Sequence, residues 1–188
     1  MEEQMIRKTE AVFPLKEGTG LELGEKDPGF WQIIEIDQDQ HKALVVSEHL
    51  RGSHEIHPDK EPVQWEDTAL EKWLNEEFLT NTFSDEELQV IVPDQAGGRV
   101  FLLSEQEVKA FFVNDWGRRA GADWWLRDQV RHGMFLYVSS NGTIPAGGSN
   151  PNYLKGIRPA FWIDLSAEMF SSRITVNEKG EQVIVQML

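Results

Sequence analysis

The first clear pattern of apolar and polar positions lies between Phe30 and Ser47. Phe30-Trp-Gln-Ile-Ile-Glu-Ile36 is rich in aromatic and β-branched residues and predicts a strand. Asp37 to His41 is a polar turn, and Lys42 to Ser47, containing Ala-Leu-Val-Val, predicts the paired strand. Three helix starts follow, each a Ser or Thr with Glu three residues later: Thr68 with Glu71, Ser84 with Glu87 and Ser104 with Glu107. The first carries Leu70, Trp73, Leu74 and Phe78 on one helical face. The second ends before Pro93, and the third carries Val108, Phe111 and Phe112 behind a buried-looking strand, Val100 to Leu103.

Beyond Val113 the pattern changes. Residues 114–122 hold two glycines and predict a loop. Asp123 to Arg127 and Met134 to Val138 read as strands. Alternation puts Trp125 with Arg127 on one face and Trp124 with Leu126 on the other. Residues 139–156 are a long, turn-rich stretch with Asn141-Gly142 and Gly147-Gly148. Ile157 to Leu165 is a strand whose Pro159 points to an edge or a bulge. Residues 173–176 and 182–187 predict a closing hairpin. The whole reads as one domain over 1–188: an irregular leading segment 1–29 with a short strand near Ala11 to Leu15, a core over 30–165, and a C-terminal hairpin extension over 166–188. One core is expected to bury Trp31, Trp73, Leu74, Phe78, Phe101, Leu103, Phe111, Trp125 and Trp162.

Charge narrows the partners. The chain of 188 residues carries a net charge of −14, which disfavours duplex nucleic acid and anionic membrane. The charge is uneven. From Glu48 to Val90 there are 12 acids against 3 bases, and from Trp116 to Arg158 there are 2 acids against 6 bases. No apolar run reaches the length of a membrane span, and no signal-peptide pattern opens the chain, so a cytoplasmic location is expected.

Candidate chemistry is sparse. Cysteine is absent, which removes thiol nucleophiles and cysteine zinc sites. His54 and His57 are three apart rather than four, and Pro58 follows at once, so an exposed loop is expected rather than a metal site. No cofactor and no metal are expected. Neither glycine pair has the ending of a phosphate loop, and no Gly-x-Ser-x-Gly elbow exists. What remains is a set suited to stacking and hydrogen bonding without a nucleophile–base pair: Asn114, Asp115, Trp116, Arg118, Arg119, Asn152 and Tyr153. Arg127 and Arg158 are expected to be shielded and hydrogen-bonded, fixing strand packing.

The motifs WEDTALEKWLNEEFLTNTFSDEE, VFLLSEQEV, WWLRD and GIRPAFWIDL occur in this order, and the chain from about Phe30 to Leu165 resembles the bacterial domain-of-unknown-function family 6273. The resemblance marks Trp65, Trp73, Asn75, Trp125, Arg127 and Arg158 as structural motif residues. Two departures stand out: Glu71 occupies the place of a family Arg, with Thr68 for the preceding Ser, and Asp128 replaces a Ser. The resemblance implies an α+β, C-type-lectin-like fold, a curled and mainly antiparallel sheet beside two main helices. The calcium motifs of sugar-binding lectins, Glu-Pro-Asn and Trp-Asn-Asp, are absent. The leading expectation is a non-catalytic binding module for a small molecule, glycan or protein, using loops 114–122 and 139–153, with a carbohydrate or a small anionic ligand foremost. A hydrolase acting on a sugar or peptide, and an assembly subunit forming oligomers through the C-terminal hairpin, stay open.

Overall fold

A computed structural model describes residues 10–59, 62–93, 97–171 and 174–187. In chain order the elements are β1 (Glu10–Pro14), β2 (Gly20–Leu23), β3 (Gly29–Asp37), β4 (Lys42–Ser47), β5 (Ser53–His54), α1 (Ala69–Trp73), α2 (Leu79–Thr82), α3 (Asp85–Val90), β6 (Ile91–Val92) and β7 (Phe101–Leu102). They continue with α4 (Glu105–Phe111), α5 (Asp115–Arg118), β8 (Trp124–Gln129), β9 (Phe135–Val138), β10 (Lys155–Gly156), β11 (Pro159–Asp164), α6 (Glu168–Ser171), β12 (Ile174–Val176) and β13 (Gln182–Met187). Among the described residues, no helix is long and apolar enough to cross a membrane.

Among the described residues three sheets form: β2-β3-β4-β11-β6 with β7 also on β11, β5-β10-β8-β9, and β1-β13-β12. All pairings are antiparallel except β8 with β10. The first sheet has apolar packing on both faces, so the expected single core is two. Ala43 and Val45 of β4 join Trp31, Leu74, Phe78, Phe161 and Trp125 on one face, while Leu44 and Val46 join Phe101, Leu103, Phe112 and Trp124 on the other. A register shift between Ile33 and Glu35 rotates the end of β3, so Ile36 packs with the first cluster although Ile34 belongs to the second.

Several expectations need correction. The leading segment is not irregular throughout: Leu21 and Leu23 turn inward between exposed neighbours and add β2 to the sheet beside β3. Residues 1–9 lie outside the described residues. Trp73, Phe111 and Trp162 are only half-buried. Trp73 stands on His54 with ring centroids 4.0 Å apart, and Trp162 lies under the Lys42 ammonium. Pro159 starts a central strand, where its missing N–H breaks no ladder: its pair is Leu102, and pairing with β4 begins only at Ala160↔Val46. Of the two main helices, the first is interrupted, since α1 runs through a π-helical turn, Leu74–Phe78, into α2. The C-terminal hairpin is extended by β1, which covers one side of β13 and leaves β12 and β1 as the edges for any assembly.

The helix starts show how local signals become long-range ties. Ser84 and Ser104 form reciprocal capping boxes with Glu87 and Glu107. The buried Glu87 carboxylate also accepts from Gly24 N–H and Glu25 N–H, anchoring the end of β2. Glu107 also receives both terminal nitrogens of Arg127 at 2.7 Å, tying α4 to β8. Thr68 is capped one way only: Glu71 N–H donates to its Oγ1, while the Glu71 carboxylate accepts from Asn75 Nδ2.

Candidate ligand-binding loops

The segment expected as a loop at 114–122 contains α5. It forms because Asn114 Oδ1 caps it, accepting from Gly117 N–H at 3.0 Å, and because Asp115 pairs with Arg118 one turn on, at 2.8 Å. This turn holds Trp116 out, 75% exposed, with the Arg119 guanidinium 4.7 Å from its ring centroid. Arg119 Nε–H then donates to Asn141 O at 3.1 Å, joining this loop to the next.

The junction is tightened at Gly142. Its φ is +91°, and a Cβ built there falls 1.7 Å from Asp115 O. Only glycine admits that approach. Asp123 completes the clamp: its carboxylate accepts from Ser140 N–H at 2.9 Å and from Lys155 Nζ at 3.1 Å. The Lys155 ammonium in turn lies 3.9 Å from the Tyr137 ring centroid.

Asn152 and Tyr153 sit elsewhere along the same stretch. Pro151 O accepts from Ile56 N–H and His57 N–H, seating this end against the segment after β5. Asn152 Oδ1 is buried without a hydrogen-bond partner among the described residues, and Tyr153 is exposed. No hydrogen bond, ion pair or ring contact among the described residues joins Asn152 or Tyr153 to Trp116, Arg118 or Arg119. Asp115 and Arg119 thus meet residues 141–142 directly, while Asn152 and Tyr153 follow Pro151, whose carbonyl holds Ile56 and His57.

The motif residues hold the frame. Trp65 packs against both clusters. The Asn75 side chain donates to Glu71 O and Val100 O and accepts from Arg99 N–H and Val100 N–H. Trp125 Nε1–H donates to His54 O. Arg127 does not share a side with Trp125. A register shift between Trp125 and Gln129 breaks the alternation, and Arg127 reaches Phe101 and Glu107, the side of Trp124 and Leu126. Asp128 accepts from Glu105 N–H at the start of α4, an anion at a helix N-terminus. Arg158 is buried; its Nε–H donates to Ser47 O at 2.9 Å, and its guanidinium lies 5.0 and 5.1 Å from the ring centroids of Phe112 and Trp124. Burial pushes its pKa down to about 10, with the Glu48 charge opposing, so it remains a cation at neutral pH.

Sequence reasoning did not single out Phe112, Asp123, Trp124, Asn141, Gly142 or Lys155 for these loops. Asn141-Gly142 did signal a tight turn, but nothing in the sequence pointed to the backbone that turn meets.

His54 and His57 are half-buried rather than exposed and do different work. His57 Nδ1 accepts from Ala69 N–H, and His54 stacks on Trp73. Among the described residues, no group of three or more His, Asp and Glu stands together as metal ligands. Desolvation lowers the His54 pKa below 6.5. The unfolded chain thus binds its proton more readily, so the contribution of His54 to stability is fully present above pH 6.5 and is lost as acid carries the pH down through the folded-state value. Urea midpoints measured from pH 7.5 to 5 should show this decline, and His54→Phe should flatten it. An unchanged slope in His54→Phe would exclude His54 as its source.

A cleft of about 580 Å³ includes Gln40, Lys42, Phe101, Glu107, Arg127 and Trp162 in its walls. Among its described lining residues the one acid, Glu107, is held bidentately by Arg127.

The architecture defines a mixed α+β domain of mostly antiparallel sheets that presents aromatic and cationic side chains on its loops. The chain belongs to the family described as a domain of unknown function, DUF6273, whose model matches residues 40–165. No curated protein and no solved structure matches it.

Proposed function

We propose that this domain is a non-catalytic binding module with a C-type-lectin-like fold, taking a neutral-to-anionic small ligand or glycan. The contacts would come from residues 114–122 together with 139–143. The observation that carries the reading is Trp116: a large aromatic held 75% exposed on a capped turn, with Arg119 beside its ring and bonded across to Asn141. An aromatic face with adjacent cationic donors, held by rigid neighbours, suits stacking on a sugar or other ring with charge-assisted hydrogen bonds to its substituents. The long stretch between β9 and β11, which brings residues 139–143 to α5, supports the fold assignment.

The test is a thermal-shift screen of glycans and metabolites followed by titration of any hit. A ligand that binds only the native state raises the melting temperature. The double variant Trp116→Ala, Arg119→Ala should abolish binding of that ligand while moving the melting temperature by only about 2–4 °C, as expected for surface changes in a domain of this size. Retained affinity, or a drop several times larger, would remove Trp116 from the ligand surface.

A further inference from the structure

Arg158 is 3% exposed, yet its guanidinium has a single hydrogen bond among the described residues, from Nε–H to Ser47 O. A buried guanidinium carries five donors and normally finds acceptors for them, since an uncompensated charge in the interior costs several kcal/mol. Here no carboxylate comes within ion-pair distance among the described residues, although Glu48 is near enough for its charge to act on the group. The terminal nitrogens of Arg158 are not among the fully sealed, unpartnered atoms, unlike Nε of Arg118. They retain a narrow path to solvent.

The place of this group in the fold connects it to the loops. Trp124, whose ring faces Arg158, donates through Nε1–H to Arg118 O at 3.0 Å. Phe112, the other ring against Arg158, packs against Gly117, 3.9 Å from where a Cβ would stand. Both aromatic neighbours of the buried cation therefore also support α5, the turn that carries Trp116. With Ser47 on the Nε edge and the two rings beside the guanidinium, its terminal edge is the approach that remains.

Resting on the binding reading above, we propose that Arg158 anchors a carboxylate subsite beneath α5, its two terminal amino groups donating in parallel to the two oxygens of a ligand carboxylate. The ligand class is thereby narrowed to acids, with the rest of the molecule directed toward the Trp116 loop. The planar fork matches a carboxylate bidentately, a geometry a lysine does not reproduce. Glu48 is the competing anion, and its charge weakens the subsite.

The experiment uses the full chain and sodium acetate as the probe, with sodium chloride at matched ionic strength as reference and inorganic phosphate as a third arm. Acetate at saturating concentration should raise the melting temperature by about 2–4 °C over chloride. Glu48→Gln, at an exposed position, should tighten the apparent acetate affinity by roughly threefold or more by removing a like charge. Arg158→Lys and Arg158→Met should lose the response. If neither of these variants folds, the Glu48→Gln comparison still decides the matter. Equal curves in acetate and chloride, a response to phosphate but not to acetate, or an acetate response unaltered by both Glu48→Gln and Arg158→Lys would each overturn the proposal. The two readings separate cleanly. A hit from the ligand panel that depends on Trp116 while acetate gives nothing sinks the carboxylate subsite alone. An acetate response with no panel ligand binding at Trp116 leaves the subsite and removes the loop surface.

Discussion

Trp31→Ala is expected to destabilise the fold by about 3–5 kcal/mol, the range for deleting a large aromatic from a packed core. Trp31 has no exposed surface and sits at the meeting point of several elements. Its ring centroid lies 4.7 Å from that of Phe161 on β11 and 5.7 Å from that of Phe83, which follows α2. Its Nε1–H donates to Leu23 O at 3.1 Å, so the substitution also leaves a buried carbonyl without its partner. Urea denaturation measures the loss, and Trp116→Ala, at an exposed position, serves as the comparison with a change within about 0.5 kcal/mol. A cost below about 1 kcal/mol for Trp31→Ala would mean that the first cluster is not packed as described.

Gly142→Ala should cost roughly 3 kcal/mol, from left-handed backbone strain combined with overpacking. A methyl group there meets Asp115 O at 1.7 Å, and a backbone carbonyl does not yield as the end of a flexible side chain would. To relieve the clash, residues 139–143 must move away from α5, which also strains the bond from Arg119 Nε to Asn141 O. Gly147→Ala is the internal control. It lies in the same stretch, has open space around the added atom and no positive φ, so its change should stay within about 0.5 kcal/mol. Equal stability of the two variants would show that residues 139–143 are not seated on α5.

The β3–β4 hairpin and the three helix starts were legible in the sequence because each rests on neighbours a few residues apart: β-branched alternation in one case, Ser or Thr with a following Glu in the other. Strand β7 falls inside the stretch Val100 to Leu103 that reads as a strand. The two-residue strands β5, β6 and β10 were not legible as such, because they are too short to carry a period and partners brought by the rest of the chain define them. Arg127 was placed by strict alternation, and a register shift moved it to the opposite side; a shift in β3 separates Ile36 from Ile34 in the same way. Trp116 was legible as a candidate because a tryptophan between polar residues and a glycine has little apolar company. Its relation to Asn141 and Gly142 was not, since it depends on the meeting of segments more than twenty residues apart. The seating of Pro151 O on Ile56 and His57 was likewise not legible, since a backbone group carries no side-chain signal.

The pairing of β1 with β13, which sets Glu10 opposite Met187, has a kinetic consequence. Strands β3 and β4 meet across one short turn, whereas β1 and β13 meet only after nearly the whole described chain has been brought to order. The entropy of closing so long a loop is lost before the pairing of these two strands can offset it, so the addition of β1 to the local β12–β13 hairpin is expected at the final stage of assembly. That pairing is a clasp, and a spectroscopic label on it should report completion of the fold rather than its beginning.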